Sequence, residues 1–369
     1  MSFPLPARHD HVGSFLRPKC LLEARERKAK GVISAEELRK VEDRAISEIV
    51  QFQADVGLKA ITDGEFRRTW FHIDCLEQLS GVATDIPVAL INPDGSKQFA
   101  PPGIRVVDKV THTRPIQVDD FNYLKSQLPA GTRAKVTIPS PTMLHFRGGR
   151  GGISKAAYPE LDPAFYDDVA KAYSDELQAL AAAGCDYVQM DDTNLAYLCD
   201  EKMREAARSR GDDPNELPNR YADFINKVVA RKPAGMTLGV HLCRGNFKST
   251  HFAAGNYEPV AEALLSRMNV DAYFLEYDDE RSGDFRPLRF LPKGKVVVLG
   301  LVTTKFGAME SKDALKRRID EAARHAPIDQ LALSPQCGFS STVHGNDIAV
   351  EDQRSKLRLV IETANEVWR

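Results

Sequence analysis

Residues 237–245 read "TLGVHLCRG", a short apolar run that ends in a histidine and a cysteine two positions apart. Residues i and i+2 of a strand point to the same face, so His241 and Cys243 share one side if this run is a strand. Runs of the same kind recur along the chain: "KAITDGE" (59–65), "AKVTIPSPTML" (134–144), "YVQMDD" (187–192), "AYFLEYD" (272–278), "VVVLGLVTT" (296–304) and "QLALSPQCG" (330–338). Between them lie helix-length segments with apolar residues at three- and four-residue spacing, at 164–183, 258–268, 311–325 and 350–368. Gly184 follows the first of these as a C-cap. With "HDHVGSF" (9–15) as a first strand, eight strands alternate with helices. That series predicts an α/β protein folded as a closed (β/α)₈ TIM barrel rather than an open sheet.

The whole chain, 1–369, reads as a single barrel domain. Segment 66–131 breaks the rhythm with an alternating stretch, "IRVVDKVTHT" (104–113), and a turn, "NPDG" (92–95). It is expected to be an inserted β-hairpin and loop region between the second and third strands. "RGGRGG" (147–152) opens a glycine-rich loop after the third strand. Its N–H groups with Arg147 or Arg150 offer an anion cradle, against the plainer reading of a flexible lid with solvated arginines.

Composition narrows the function classes. A formal net charge of -2 gives no global attraction to nucleic acid or to an anionic membrane. No apolar run is long enough to span a bilayer, and the N-terminal residues show no apolar signal region. The 6 cysteines (Cys20, Cys75, Cys185, Cys199, Cys243 and Cys337) are widely spaced, which favours free thiols or metal ligands and a cytoplasmic location. Segment 66–131 is a possible surface for a homo-oligomer, although nothing in the sequence requires one.

Nearly every expected strand starts apolar and ends polar: at Ser14, Glu65, Asp191, His241 and Cys243, Glu276 and Cys337. Barrel closure would gather these ends at one mouth, where barrel enzymes carry their chemistry. His241, Cys243, Glu276 and Cys337 together offer an imidazole, two thiolates and a carboxylate, a set suited to Zn²⁺. The alternative is a satisfied core histidine beside buried thiols. If zinc binds, its three anionic ligands leave it electron-rich. Such a centre is a poor activator of water but a good holder of a substrate thiolate, which points to alkyl transfer onto sulfur.

The stretches "DHVGSFLRP", "TDGEFRRTWF", "IPSPTMLHFR", "YVQMDDTNLAYL", "HLCRGNF", "FLEYDDERSGDFRPLRF", "LGLVTTKFGAMES" and "LSPQCGFSST" run from residue 10 to near the C-terminus. In them the chain resembles the catalytic domain of cobalamin-independent methionine synthase, and most closely its short single-barrel homologues. The resemblance implies a barrel shared with uroporphyrinogen decarboxylase, zinc on His241, Cys243, Glu276 and Cys337, and homocysteine as the methyl acceptor. It implies that Ser14 binds the homocysteine carboxylate, while Glu65 and Asp191 hold its amino group. A local ion pair of these carboxylates with Arg67 or Arg68 is the competing reading.

Departures from the family pattern fall on the methyl-donor side. The second, N-terminal barrel of the long synthases has no counterpart here. Phe146 stands where the family has a tryptophan that packs on the folate pterin. The histidine expected after the seventh strand is missing from "TTKFGAMES" (303–311). An amine leaving group needs a proton to depart, and His145 or Lys305 are the candidates to supply it. The donor is therefore methyltetrahydrofolate or a methylcorrinoid. A relative that directs a thiol at an epoxide, epoxyalkane:coenzyme M transferase, marks the third possibility.

Overall fold

The computed structural model describes residues 3–84, 89–91, 97–99, 103–246 and 248–369. In chain order its strands are β1 (Ala60–Ile61), β2 (Ser80–Thr84), β3 (Ala89–Ile91), β4 (Lys97–Phe99), β5 (Ile104–Thr111) and β6 (Arg133–Ala134). They continue with β7 (Val136–Pro139), β8 (Tyr187–Asp192), β9 (Thr237–Leu242), β10 (Ala272–Glu276), β11 (Val296–Val302) and β12 (Leu331–Pro335). β7 to β12 form one six-stranded parallel sheet in sequential order. Its strands are buried on both faces, as their unbroken apolar runs require. β1 pairs in parallel with β6, which is separated from β7 only by Lys135, so β6 and β7 are two halves of the third expected strand.

The first expected strand differs. Over residues 9–15 there is an isolated parallel bridge, His9 to Leu333, and no strand. The reason is local. The His11 N–H is taken by its neighbour, Asp10 Oδ1, at 2.7 Å, and Gly13 turns the chain with φ +140°. The segment still spans the space between β12 and β1. On one side Asp10 N donates to Leu333 O (3.0 Å) and Leu333 N to Arg8 O (2.9 Å). On the other, Thr62 Oγ1 donates to Gly13 O (2.6 Å) and Phe15 N to Gly64 O (3.2 Å).

Between β1 and β6 lie two antiparallel pairs, β2 with β5 and β3 with β4, outside the parallel sheet. The "NPDG" turn falls outside the described residues. Helices at Ala164–Ala182, Lys312–Ala322 and Val350–Val367 match the sequence periodicity, and Gly184 takes the left-handed conformation just after the first. The segment 258–268 is not one α-helix but a 3₁₀ turn followed by a π-helix, Glu262–Arg267. A 22-residue helix, Ala35–Val56, was not anticipated, although "SAEE" (34–37) spells its capping box of Ser34 and Glu37. Among the described residues no helix is long and apolar enough to cross a membrane.

One ionic knot ties the N-terminal segment to the sheet. Lys135 Nζ lies 3.2 Å from Asp10 Oδ1 and donates to His11 O, with both charged side chains fully buried. Tyr187 of β8 donates to Asp10 Oδ2 at 2.7 Å, and the ammonium sits 4.3 Å from the Phe274 ring centre. Removing one partner of such a pair strands the other charge in a dry interior. Lys135→Met is expected to lose roughly 3–5 kcal/mol in urea denaturation. The double variant Asp10→Asn with Lys135→Met should recover a substantial part of that loss.

Candidate metal centre

The parallel register brings the polar strand ends together. His241 of β9 stands level with Asp191 of β8 and Phe274 of β10. Cys243 follows β9, with its N–H on Asp192 O at 2.8 Å. Glu276 ends β10 level with Gly300 of β11, and Cys337 lies just past β12. Gly300 permits this convergence, because a Cβ there would come within 2.7 Å of Gln336 Cα and 2.9 Å of Leu275 O.

One ligand-type atom from each of His241, Cys243, Glu276 and Cys337 lies within 4.8 Å of the others, and all four residues are buried. The two sulfurs are 3.5 Å apart and unbonded. The hydrogen bond between them pushes the Cys337 thiol well below its ordinary range and the Cys243 thiol well above it. The His241 ring makes no hydrogen bond to an oxygen or nitrogen among the described residues; it interacts with the Cys337 sulfur, which with Asp191 and Glu276 raises its pKa against the effect of burial. The Gly245 N–H points at Cys243 Sγ (3.3 Å) and the Arg244 N–H at Glu276 Oε1 (3.0 Å).

Ser14, Glu65 and Asp191 are also buried. Ser14 Oγ accepts from the Ser340 N–H at 3.4 Å and sits against Gly338, next to Cys337. A Cβ at 338 would lie 1.9 Å from that oxygen, so a side chain there would drive the Ser14 hydroxyl from its position. Glu65 has φ +60°, a left-handed backbone that is strained for a long side chain. Its Oε1 accepts from Thr137 Oγ1 at 2.9 Å. Arg67 turns away to Asp43 and Asp120, whereas Arg68 donates to Thr137 and remains an electrostatic neighbour of Glu65. Asp191 Oδ1 accepts from Gln189 Nε2 at 2.7 Å. Burial, and then the charge of Glu65, push the Asp191 carboxyl up to about 7. Two carboxylates that repel each other in a dry pocket are suited to a shared cation.

The donor-side candidates separate. His145 Nδ1 bonds the Tyr221 hydroxyl at 2.8 Å, and its Nε2 faces Asp212 at 3.9 Å. Burial lowers its pKa to about 4, against the opposing pull of Asp212. Phe146 packs between Tyr197 and Tyr221, with the Arg210 guanidinium 5.3 Å from its ring centre. Lys305, by contrast, is an electrostatic neighbour of Cys337. Its buried ammonium has no hydrogen-bond partner among the described residues. The Arg150 guanidinium donates to the carbonyls of Ile153, Tyr158 and Pro159.

Some residues were not singled out from sequence. Arg244 is fully buried with its guanidinium 4.4 Å from the Tyr257 ring centre, and the Tyr257 hydroxyl receives the Glu276 N–H at 3.0 Å. His72 is buried with both ring nitrogens unpartnered among the described residues. Arg281 bridges Glu276 and Asp278. The charge run "EYDDER" (276–281) was the available signal for Arg281; a lone arginine or histidine gave none.

Comparison with known proteins supplies the context. The family model for "Cobalamin-independent synthase, Catalytic domain" matches residues 9–366. The chain is 46% identical to the uncharacterized protein YxjH of Bacillus subtilis over 99% of its own length and 95% of the relative. It is 25% identical to a methionine synthase of Saccharolobus solfataricus, covering 89% of this chain and 86% of that one. Among solved structures, a putative vitamin-B12 independent methionine synthase from Listeria monocytogenes is 38% identical, with a TM-score of 0.78 over 100% of this chain and 99% of that one. A B12-independent methionine synthase from Shewanella sp. W3-18-1 shares the fold at 20% identity, with a TM-score of 0.73 over 98% and 97% of the two chains. The chain belongs to the cobalamin-independent methionine synthase catalytic-domain family and is a methyltransferase.

Proposed function

We propose that this protein is a zinc-dependent methyltransferase that converts homocysteine to methionine in the cytoplasm. The observation that carries the reading is the buried cluster of His241, Cys243, Glu276 and Cys337. Its donor set fits zinc, and an imidazole with only a sulfur for a partner, beside two close thiols in a dry interior, favours a cation there. Tetrahedral zinc with bonds of about 2.3 Å to sulfur spaces two thiolates by roughly 3.8 Å, near the 3.5 Å found here. Bound there, zinc would supply a Lewis acid that holds a substrate thiol as thiolate, and its anionic ligands would keep that sulfur nucleophilic.

The remaining residues bind and orient. We assign the substrate carboxylate to Ser14 with the Ser340 N–H and its ammonium to Glu65 with Asp191, a reading supported by the Ser340 N–H bond to Ser14 Oγ and by the mutual repulsion of the two buried carboxyls. The thiolate forms a bond to the methyl carbon while the bond from methyl to donor breaks, its electron pair leaving with the donor. With methyltetrahydrofolate the departing nitrogen takes a proton; we assign that proton to Lys305, supported by its nearness to Cys337 and by an ammonium that has no hydrogen-bond partner among the described residues. His145, bonded to Tyr221 and facing Asp212, is given no proton-transfer role in this reading. We also read the fold as a closed (β/α)₈ barrel in one domain, with 66–131 as its insertion. The support is the hydrogen bonding of segment 8–15 to Leu333 on one side and to Thr62 and Gly64 on the other.

Metal analysis of purified protein should find about one zinc per chain, abolished by Cys337→Ala or Cys243→Ala. A wild type that takes up no zinc at micromolar levels contradicts the reading. Glu65→Gln and Asp191→Asn should keep the metal yet weaken homocysteine binding by roughly 30-fold or more in calorimetry, since each leaves a buried ammonium short of a partner. Unchanged affinity would remove both residues from the pocket. Offered methyltetrahydrofolate, methylcobalamin and a simple epoxide, the enzyme should make methionine from the first, and Lys305→Met should slow that reaction roughly 100-fold. Methionine from methylcobalamin alone would transfer the donor role to a corrinoid. A thioether from the epoxide alone would sink the methyl-transfer reading.

A further inference from the structure

The loop after β10 folds back on the end of its own strand. Arg281 lies in the short 3₁₀ turn Glu280–Ser282, with its side chain 6% exposed. Its Nη2 donates to Glu276 Oε2 at 3.0 Å and to Asp278 Oδ1 at 2.7 Å, while Nη1 reaches Asp279. The other oxygen of Glu276, Oε1, accepts the Arg244 N–H. Both carboxylate oxygens are therefore held before any metal arrives, and the terminal torsion of Glu276 is fixed. The Asp278 side chain is also shielded from solvent and shares Nη2 with Glu276, while Asp279 takes Nη1, so the guanidinium is held at both of its terminal nitrogens.

We propose that Arg281, clamped by Asp278, is a positioning residue that presets the Glu276 carboxylate toward His241, Cys243 and Cys337. This inference rests on the reading of that cluster as a metal centre. The partners of a ligand carboxylate set its orientation and its strength as a donor. A glutamate has three side-chain torsions to lose on binding, and the clamp removes that freedom during folding. The rigid guanidinium fork can grip two carboxylates at once; an ammonium at the same place offers charge without the fixed geometry.

The test uses the full-length protein and its Arg281→Met, Arg281→Lys and Asp278→Asn variants. Zn²⁺ and Co²⁺ affinities are measured by competition with a chelator, and the visible spectrum of the cobalt form reports ligand geometry. Arg281→Met should bind both metals roughly 10- to 100-fold more weakly and shift the cobalt bands. Arg281→Lys should regain part of the affinity but not the wild-type spectrum. Asp278→Asn, a gentler change, should show a smaller loss in the same direction, and it keeps the test open if Arg281→Met melts early. A folded Arg281→Met protein with wild-type affinity and spectrum overturns the inference while the metal centre stands. Absence of metal uptake by the wild type overturns both.

Discussion

The convergence of one imidazole, two sulfurs and one carboxylate inside 4.8 Å, in a dry interior, is the constraint to which the rest of this structure answers. Two sulfurs, an imidazole and a carboxylate crowded together away from water are costly to hold in place, and a folded chain tolerates that only when the surroundings are rigid. The parallel ladder supplies the rigidity. It sets His241 level with Asp191 and Glu276 level with Gly300, and the missing side chain at 300 lets the Cys337 loop close in.

Charge around the centre is arranged in two shells of opposite sign. Zinc with two thiolates and one carboxylate would leave the centre at about -1, and a substrate thiolate would deepen that charge. Arg244, Arg281 and Lys305 are all buried close by. They offset an anionic centre without occupying it. On the other flank Glu65 and Asp191 are two buried carboxyls beside Arg68, and burial with the charge of Glu65 pushes Asp191 up to about 7. An amino-acid thiol matches this layout, with its ammonium on one side and its sulfur on the other.

The sequence made the repeating strands legible because parallel strands buried on both faces must be apolar throughout. The grouping of His241 and Cys243 was legible because their spacing at the end of a strand puts them on a common side, and that of Glu276 and Cys337 because they lie at or just past the ends of strands. The segment 9–15 was misread, since its bonds run through side chains such as Asp10 and through Gly13, which periodicity does not register. Arg281 and Arg244 escaped notice because their roles depend on contacts made by a returning loop and on an aromatic face. The fates of His145 and Arg150 were equally hidden: each is consumed by a partner, Tyr221 in one case and backbone carbonyls in the other.

The central claim is that four named side chains form a thiol-binding zinc centre. X-ray absorption at the zinc edge addresses it most directly, on protein with and without homocysteine. The account predicts two sulfur and two nitrogen or oxygen neighbours in the free enzyme, from Cys243, Cys337, His241 and Glu276. It predicts a third sulfur once homocysteine is added. A zinc shell without two sulfurs, or one that homocysteine leaves unchanged, would contradict it.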